Sequence, residues 1–245
     1  MKSKEEKRGI NKMQNLDNYS RILEAPSYSM AEISRLVGVN PWTVRRYLRG
    51  YEYDYINSRT IQPPVVKSDT DDRTIYASFL DLIDLIFVRE FMRRGFGLPT
   101  LRKALDEARE RLGTPHFARS VFFTSGSKGI ILKLPQNGSM IALLTGGQSA
   151  MPQIIEMLSD KLEFEDVTGY GFVKRWYPRG VQGLIVIDPE ISFGRPTLKG
   201  RAVPTHNIYD LYLGEKKKIA PVSNWFRIPA PEIDAAIKFE QQLWA

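Results

Sequence analysis

The sequence predicts an α+β fold in three successive parts: an N-terminal winged helix-turn-helix, a small β-rich middle segment, and a small helical, helix-turn-helix-like domain carrying a β-hairpin. Three observations predict it. Two short amphipathic patterns flank Gly38 between Tyr28 and Gly50. After Pro115 the helical period gives way to short apolar runs of strand type. Beyond Ile208 the helical period returns.

The 245 residues suit two or three small domains better than one. The expected divisions are a tail over 1–25, a head over 26–114, the middle over 115–182 and the C-terminal domain over 183–245. Residues 1–25 are polar, mixed in charge and weakly periodic, the pattern of a flexible or loosely helical tail.

The head is the most explicit part. Ser29 can cap a helix whose apolar positions are Met30, Ile33, Leu36 and Val37, and Gly38 can take the left-handed conformation that stops it. Asn40 is a good cap for a second helix, and Pro41 sits at its first position, where no amide donor is missed. Val44 and Leu48, four apart, face inward, and Ser34 is small enough for the two helices to pack closely. This is a helix-turn-helix pattern. Residues 51–76 lack helical period and read as a loop with a short hairpin, a candidate wing. Phe79–Arg94 then reads as a helix ended by Gly95. Pro99 opens another, with Leu101, Leu105, Ala108 and Leu112 in register.

In the middle, Val121–Thr124 and Gly129–Leu134 read as strands, and Gln136-Asn-Gly138 as a turn. Ser149–Leu158 reads as a short helix, and Lys161–Trp176 and Leu184–Ile187 as further strands. At the C-terminal end, Ile208–Leu213, Lys216–Phe226 and a segment opened by Pro231 have helical patterns. No internal repeat is evident, although this end leaves room for a second helix-turn-helix.

Composition limits the chemistry. A net charge of +7 attracts polyanions, of which nucleic acid is the commonest, so the placement of the charge decides. The absence of cysteine excludes disulfides, thiolate nucleophiles and Cys-built zinc sites. His116 and His206 lie far apart in sequence, share no ligand motif and are expected on the surface or in loops. No metal or cofactor is expected. No apolar run approaches the ~20 residues of a membrane span, and no apolar stretch follows the charged N-terminus, so the expectation is cytoplasmic.

The second helix carries the placed charge. Arg45, Arg46 and Arg49 stand on its outward positions with no carboxylate, beside Trp42 and Thr43, while Asn40 caps it. A solvated face normally mixes both signs. Arginine can donate two parallel hydrogen bonds to a guanine edge or grip a phosphate, and the N-terminal end of such a helix usually faces base edges. The competing reading is a motif used only for packing or for an acidic protein.

Tyr28–Leu48, Thr74-Ile-Tyr76, Leu80–Arg94, Gly95-Phe-Gly-Leu-Pro99 and Leu101–Leu105 together resemble the DNA-binding domain of MerR-like regulators. The resemblance implies that Asn40, Thr43, Arg45 and Arg46 belong to the recognition helix. It also implies that Lys67, Arg73 and Tyr76 lie in or beside a wing that reaches phosphates. The sequence departs from that family in a longer segment between Gly50 and Tyr76. It also lacks a long dimerising coiled coil and cysteine effector ligands, so a metal sensor is not expected.

Residues 184–205, with Gly194, Pro196, Gly200 and Pro204, followed by 208–214 and 229–243, resemble the VapB-like antitoxin domain. Chains joining these two parts resemble antitoxins or autorepressors of type II toxin–antitoxin pairs, and a PIN-like ribonuclease toxin is the partner the resemblance implies. Arg195, Lys199 and Arg201 make the hairpin basic and are candidates for contact with a partner.

The expected function is therefore a DNA-binding repressor that is also an antitoxin, acting as a homodimer on double-stranded operator DNA. The alternative is a one-component regulator whose effector binds within residues 115–180. A nuclease is disfavoured: Asp81 and Asp84 on one helix read as surface chemistry, and Asp69, Asp71 and Asp72 in one loop as a turn.

Overall fold

A computed structural model describes residues 19–55, 58–68, 76–117, 120–125, 129–134, 138–144, 154–156, 158–167 and 170–243. The fold is α+β, with helices at both ends and small antiparallel strand groups between them.

Residues 19–24 are helical (α1) rather than part of a free tail. Leu23 is fully buried, so this turn of helix joins the core. β1 (Tyr28–Ser29) pairs antiparallel with β4 (Tyr76–Ala77) and leads into α2 (Met30–Val37). Ser29 and Glu32 form a reciprocal capping box, which satisfies otherwise orphaned amides, and Gly38 ends α2 in the left-handed conformation. α3 (Pro41–Arg49) is capped by the Asn40 side chain, which accepts from the Trp42 amide. The Ser34 hydroxyl donates to the Val39 carbonyl at 2.6 Å and ties the turn between them. An antiparallel hairpin, β2 (Tyr51–Tyr55) and β3 (Ser58–Gln62), follows at once.

α4 (Phe79–Arg93) is apolar nearly all round, and it is buried accordingly from Phe79 to Val88 and at Phe91. α5 (Leu98–Leu112) packs against it through Leu101, Ala104, Leu105 and Ala108. Asp81 and Asp84 are fully buried in α4, not on its surface. Asp81 caps the helix through the Ser78 amide and accepts from the Ser68 hydroxyl. Asp84 lies 3.1 Å from Nδ1 of His116, which lies in a loop, one of the two positions expected for it, but is buried there. Burial pushes the Asp84 carboxyl up, and the His116 hydrogen bond partly offsets this.

The middle holds a four-stranded antiparallel sheet in the order β7 (Met140–Leu144), β6 (Gly129–Lys133), β5 (Val121–Ser125), β8 (Ile154–Glu156). The short helix expected over Ser149–Leu158 is corrected in its described part. Ile154–Glu156 is an edge strand on β5, where β-branched residues suit the pleat and the sheet supplies backbone partners. The rest of that expectation, residues 149–153, lies outside the described residues, as do Gln136 and Asn137 of the expected turn and Asp69, Asp71 and Asp72. β9 (Leu162–Val167) and β10 (Tyr170–Trp176) pair as one antiparallel unit. Phe87, Phe91, Phe96, Phe117 and Phe122 meet at centroid separations of 5.2–6.4 Å, so a single core runs from the head into the middle.

A second core lies at the C-terminal end. β11 (Ile185–Val186) pairs with β12 (Thr197–Leu198) across a 3₁₀ turn at Ser192–Gly194. α6 (Thr205–Gly214), α7 (Ile219–Phe226) and α8 (Ala230–Leu243) close around Ile208, Val222, Ile228, Ile233 and Ile237. Lys216 and Lys217 form the α6–α7 turn instead of opening α7.

Candidate nucleic-acid interface and the junction behind it

α3 buries Val44 and Leu48 completely or nearly so and leaves the opposite face in solvent. Asn40, Trp42, Arg45 and Arg46 are exposed, Trp42 at 73 %, whereas Thr43 and Arg49 are half-buried. The exposed face is a continuous strip of cations and one large aromatic ring without a carboxylate. It owes its rigidity to its surroundings. Asn40 fixes the first turn, and the Tyr47 carbonyl accepts from the Val65 and Val66 amides at 2.8 and 3.0 Å. Those two valines are buried beneath α3.

The β2–β3 hairpin leaves α3 through Gly50. There φ is +71°, and an added Cβ would stand 2.3 Å from the Gln62 carbonyl oxygen, so a side chain is excluded on both counts. Tyr51, the next residue, lies under the Arg46 guanidinium with 3.7 Å between its ring centroid and Cζ. The base of the hairpin is tied to α5 by Arg102, which donates to the Gln62 side chain at 2.6 Å.

Of the residues expected in or beside the wing, two are described. Lys67 follows the hairpin and pairs with Asp106 at 3.1 Å. Tyr76 is half-exposed in β4, beside α2. Arg73 lies outside the described residues. The hairpin itself presents Tyr53, Arg59 and Ile61, and Arg59 pairs across it with Glu52. Tyr51 was missed in the sequence because its role depends on a contact with another element. Alternation in Tyr51-Glu-Tyr-Asp-Tyr55 was the available signal for the strand.

Behind the head, the C-terminal part seats against α2. The Tyr28 hydroxyl donates to the Gly194 carbonyl at 2.7 Å, and Arg195 pairs with Glu32 at 3.3 Å. Burial tends to raise the Glu32 carboxyl, but hydrogen bonds from Ser29 and the Arg195 charge outweigh it and leave it below the usual range. Tyr28 is raised strongly, chiefly by burial. Between the two surfaces is a cavity of ≈ 260 Å³ lined by Glu32, Arg35, Leu36, His206, Asp210 and Glu240 among others. It lies outside the 115–180 span expected for an effector. Glu240 is nearly buried and accepts from the Thr205 hydroxyl; burial raises its carboxyl, partly offset by that bond.

The three basic hairpin residues considered for a partner are engaged within the chain. Arg195 holds Glu32, Lys199 donates to the Val181 carbonyl at 3.0 Å, and Arg201 pairs with Glu232 at 2.9 Å.

With this geometry in view, the comparisons with known proteins take on meaning. The chain is similar to a mycobacterial protein over most of its length. That protein, named "Putative antitoxin VapB45", is from Mycobacterium tuberculosis and is 21 % identical over 192 residues, 74 % of this chain and 80 % of its own length. The crystal structure of Rv2018 from the same organism shares the fold at a TM-score of 0.56 and 16 % identity. The alignment covers 87 % of this chain and 98 % of that one. No protein-family model matches the chain. Among the described residues, no helix is long and apolar enough to cross a membrane, and no group of three or more potential metal ligands occurs.

Proposed function

We propose that the chain is a sequence-specific DNA-binding repressor and the antitoxin of a type II toxin–antitoxin pair, without catalytic activity of its own. The observation that carries the DNA reading is the exposed face of α3: Trp42, Arg45 and Arg46 with no carboxylate, on a helix whose other face is locked into the core. The β2–β3 hairpin follows α3 directly, which supports reading it as a wing beside the reading helix, and duplex DNA is the polyanion such a pair of elements fits. The antitoxin reading is supported by the name of the mycobacterial relative and by the VapB-like pattern at Gly194–Pro204. A homodimer doubles the contacts of one short reading helix on a palindromic operator.

The test is a gel-shift titration against the duplex upstream of the chain's own gene, with a scrambled duplex as control. Retardation of the first at lower protein concentration than the second is expected. Equal affinity for both removes sequence-specific repression. In parallel, co-expression with the product of the adjacent reading frame should relieve its toxicity and give a stable complex. A harmless, unassociated neighbour ends the antitoxin half and leaves the repressor half standing.

A further inference from the structure

The chain contains its helix-turn-helix twice. α7 and α8 repeat the turn and the buried positions of α2 and α3, though not their caps or the length of the second helix. Each first helix has eight residues. In each, a serine at the fifth position donates to the carbonyl five residues on, Ser34 to Val39 and Ser223 to Ile228, both at 2.6 Å. The returning amides, Val39 to Ser34 and Ile228 to Ser223, both span 3.1 Å. The helix ends in a left-handed residue, Gly38 at φ 65°, ψ 40° and Arg227 at φ 54°, ψ 43°. Ile33, Val44 and Leu48 are buried, and so are their counterparts Val222, Ile233 and Ile237.

The two motifs have opposite surfaces. α8, the counterpart of α3, lacks its carboxylate-free cationic face: Glu232 is held by Arg201, Asp234 pairs with Lys238, and Arg179 donates to the Lys238 carbonyl and Gln242. The difference in the first helices is more informative. On α2 the face formed by Tyr28, Glu32, Arg35 and Leu36 is covered by a polypeptide turn of the same chain, Gly194–Pro196, and by the second core. The same positions in the second motif are Lys217, Pro221, Asn224 and Trp225. There Trp225 is 75 % exposed, and Lys216, Lys217 and Lys218 stand in solvent beside it. Pro221 and Trp225 are four residues apart on α7 and so share one face, and the exposed lysines belong to the turn that leads into this helix.

Over residues 215–231, Glu215 is the single carboxylate against Lys216, Lys217, Lys218 and Arg227. Lys216 and Lys217 both hold left-handed backbone conformations, at φ 55° and 61°, which non-glycine residues adopt rarely. The turn is nonetheless fixed, because the Lys217 amide bonds to the Tyr212 carbonyl at 2.9 Å.

We infer that the exposed face of α7 at Pro221 and Trp225, together with Lys217 and Lys218 of the turn before it, is a docking surface for an acidic protein partner, with Trp225 as the apolar anchor. The inference rests on the antitoxin reading, which makes that partner the toxin. In the first motif the equivalent face is covered by a polypeptide turn, Gly194–Pro196. The charge is reversed: α2 offers Glu32 to an arginine, and the turn before α7 offers lysines to a carboxylate. A second copy seated symmetrically here would bring two lysine clusters together, which opposes it.

The experiment uses the full chain and the product of the adjacent reading frame, with wild type, Trp225→Ala, Trp225→Phe and the triple variant Lys216→Glu, Lys217→Glu, Lys218→Glu. Complex affinity, operator gel shift and oligomeric state by light scattering are read on each. Trp225→Ala should weaken the complex at least about tenfold, as truncated aromatic anchors do, and Trp225→Phe should recover part of it. The triple variant should weaken it further, while operator binding and oligomeric state stay unchanged. Wild-type affinity in both Trp225→Ala and the triple variant overturns the surface. Loss of operator binding instead assigns it to nucleic acid, and loss of the oligomer assigns it to a second copy; either overturns the proposal. If wild type itself forms no complex, the antitoxin reading fails and takes the docking surface with it, a pattern distinct from failure of the variants alone.

Discussion

Arg46 rests on the Tyr51 ring, whereas Arg45, one residue earlier, stands in solvent. A stacked guanidinium has lost much of its rotamer freedom before a ligand arrives, so less entropy is lost when its edge donates to a base or phosphate. Replacing Arg45 or Arg46 by alanine is expected to weaken operator binding by ~1–3 kcal/mol where the residue reads a base, and to weaken all duplexes alike where it grips phosphate. Tyr51→Ala should reproduce part of the Arg46 loss and none of the Arg45 loss in the same gel shifts. An equal effect on both arginines' contributions in double-mutant cycles would contradict the stacking role. Glu240 supports a prediction of a different kind. Its carboxyl is raised in the folded chain, chiefly by burial, so the native state holds its proton more tightly than the unfolded state. Its contribution is fully present at low pH and is lost as pH rises from the ordinary carboxylate pKa through the raised one. The stability of Glu240→Gln relative to wild type should therefore increase over that interval in denaturant titrations. A constant difference across pH would show that Glu240 is not raised.

At the level of elements, local chemistry and distant contacts divide the work. The caps of α2 and α3 are made by residues within a few positions of one another: Ser29 with Glu32, Asn40 with Trp42, Ser34 with Val39. For that reason the helix-turn-helix was readable in the sequence almost to the residue. The hairpin that follows was placed only approximately. Its tie to α5 joins Gln62 and Arg102, which are 40 residues apart in sequence. α4 was read as a helix, but not as the centre of the core, and Asp84 and His116 were not paired in advance. Phe87, packed among Phe91, Phe117 and Phe122, is the position where a cavity costs most. Phe87→Ala is expected to lose ~3–5 kcal/mol in chemical denaturation, and a loss under 1 kcal/mol would place the core elsewhere.

At the scale of the whole molecule, the junction between α2 and the Gly194–Pro196 turn joins the C-terminal part to the head. Gly194 has φ +72°, and an added Cβ would stand 2.1 Å from the Tyr28 hydroxyl oxygen. Gly194→Ala should therefore open this junction while sparing both cores. The expected result is faster proteolysis between the two parts with α3 still competent for DNA. Unchanged protease resistance would mean that the turn relaxes without separation. A dimer on DNA should also show a steep salt dependence, with a log–log slope of about −0.9 for each phosphate neutralised.

Sequence alone determined the α+β class, the first helix-turn-helix with its caps, the cationic face of α3, and the β-rich character of the middle. These follow from periodicity, capping chemistry and turn residues, all of which act within a few positions along the chain. Tertiary structure decided that Leu23 belongs to the core, that Asp81, Asp84 and His116 are buried, and that Arg195, Lys199 and Arg201 are engaged within the chain. It also decided that α7 and α8 duplicate α2 and α3. The physical reason is that a motif is defined by burial and by a few hydrogen bonds. Gly38 and Arg227 fulfil the same geometric task with unlike side chains, and the few matching letters, such as Ser34 and Ser223, are too sparse for a repeat to be seen in the sequence.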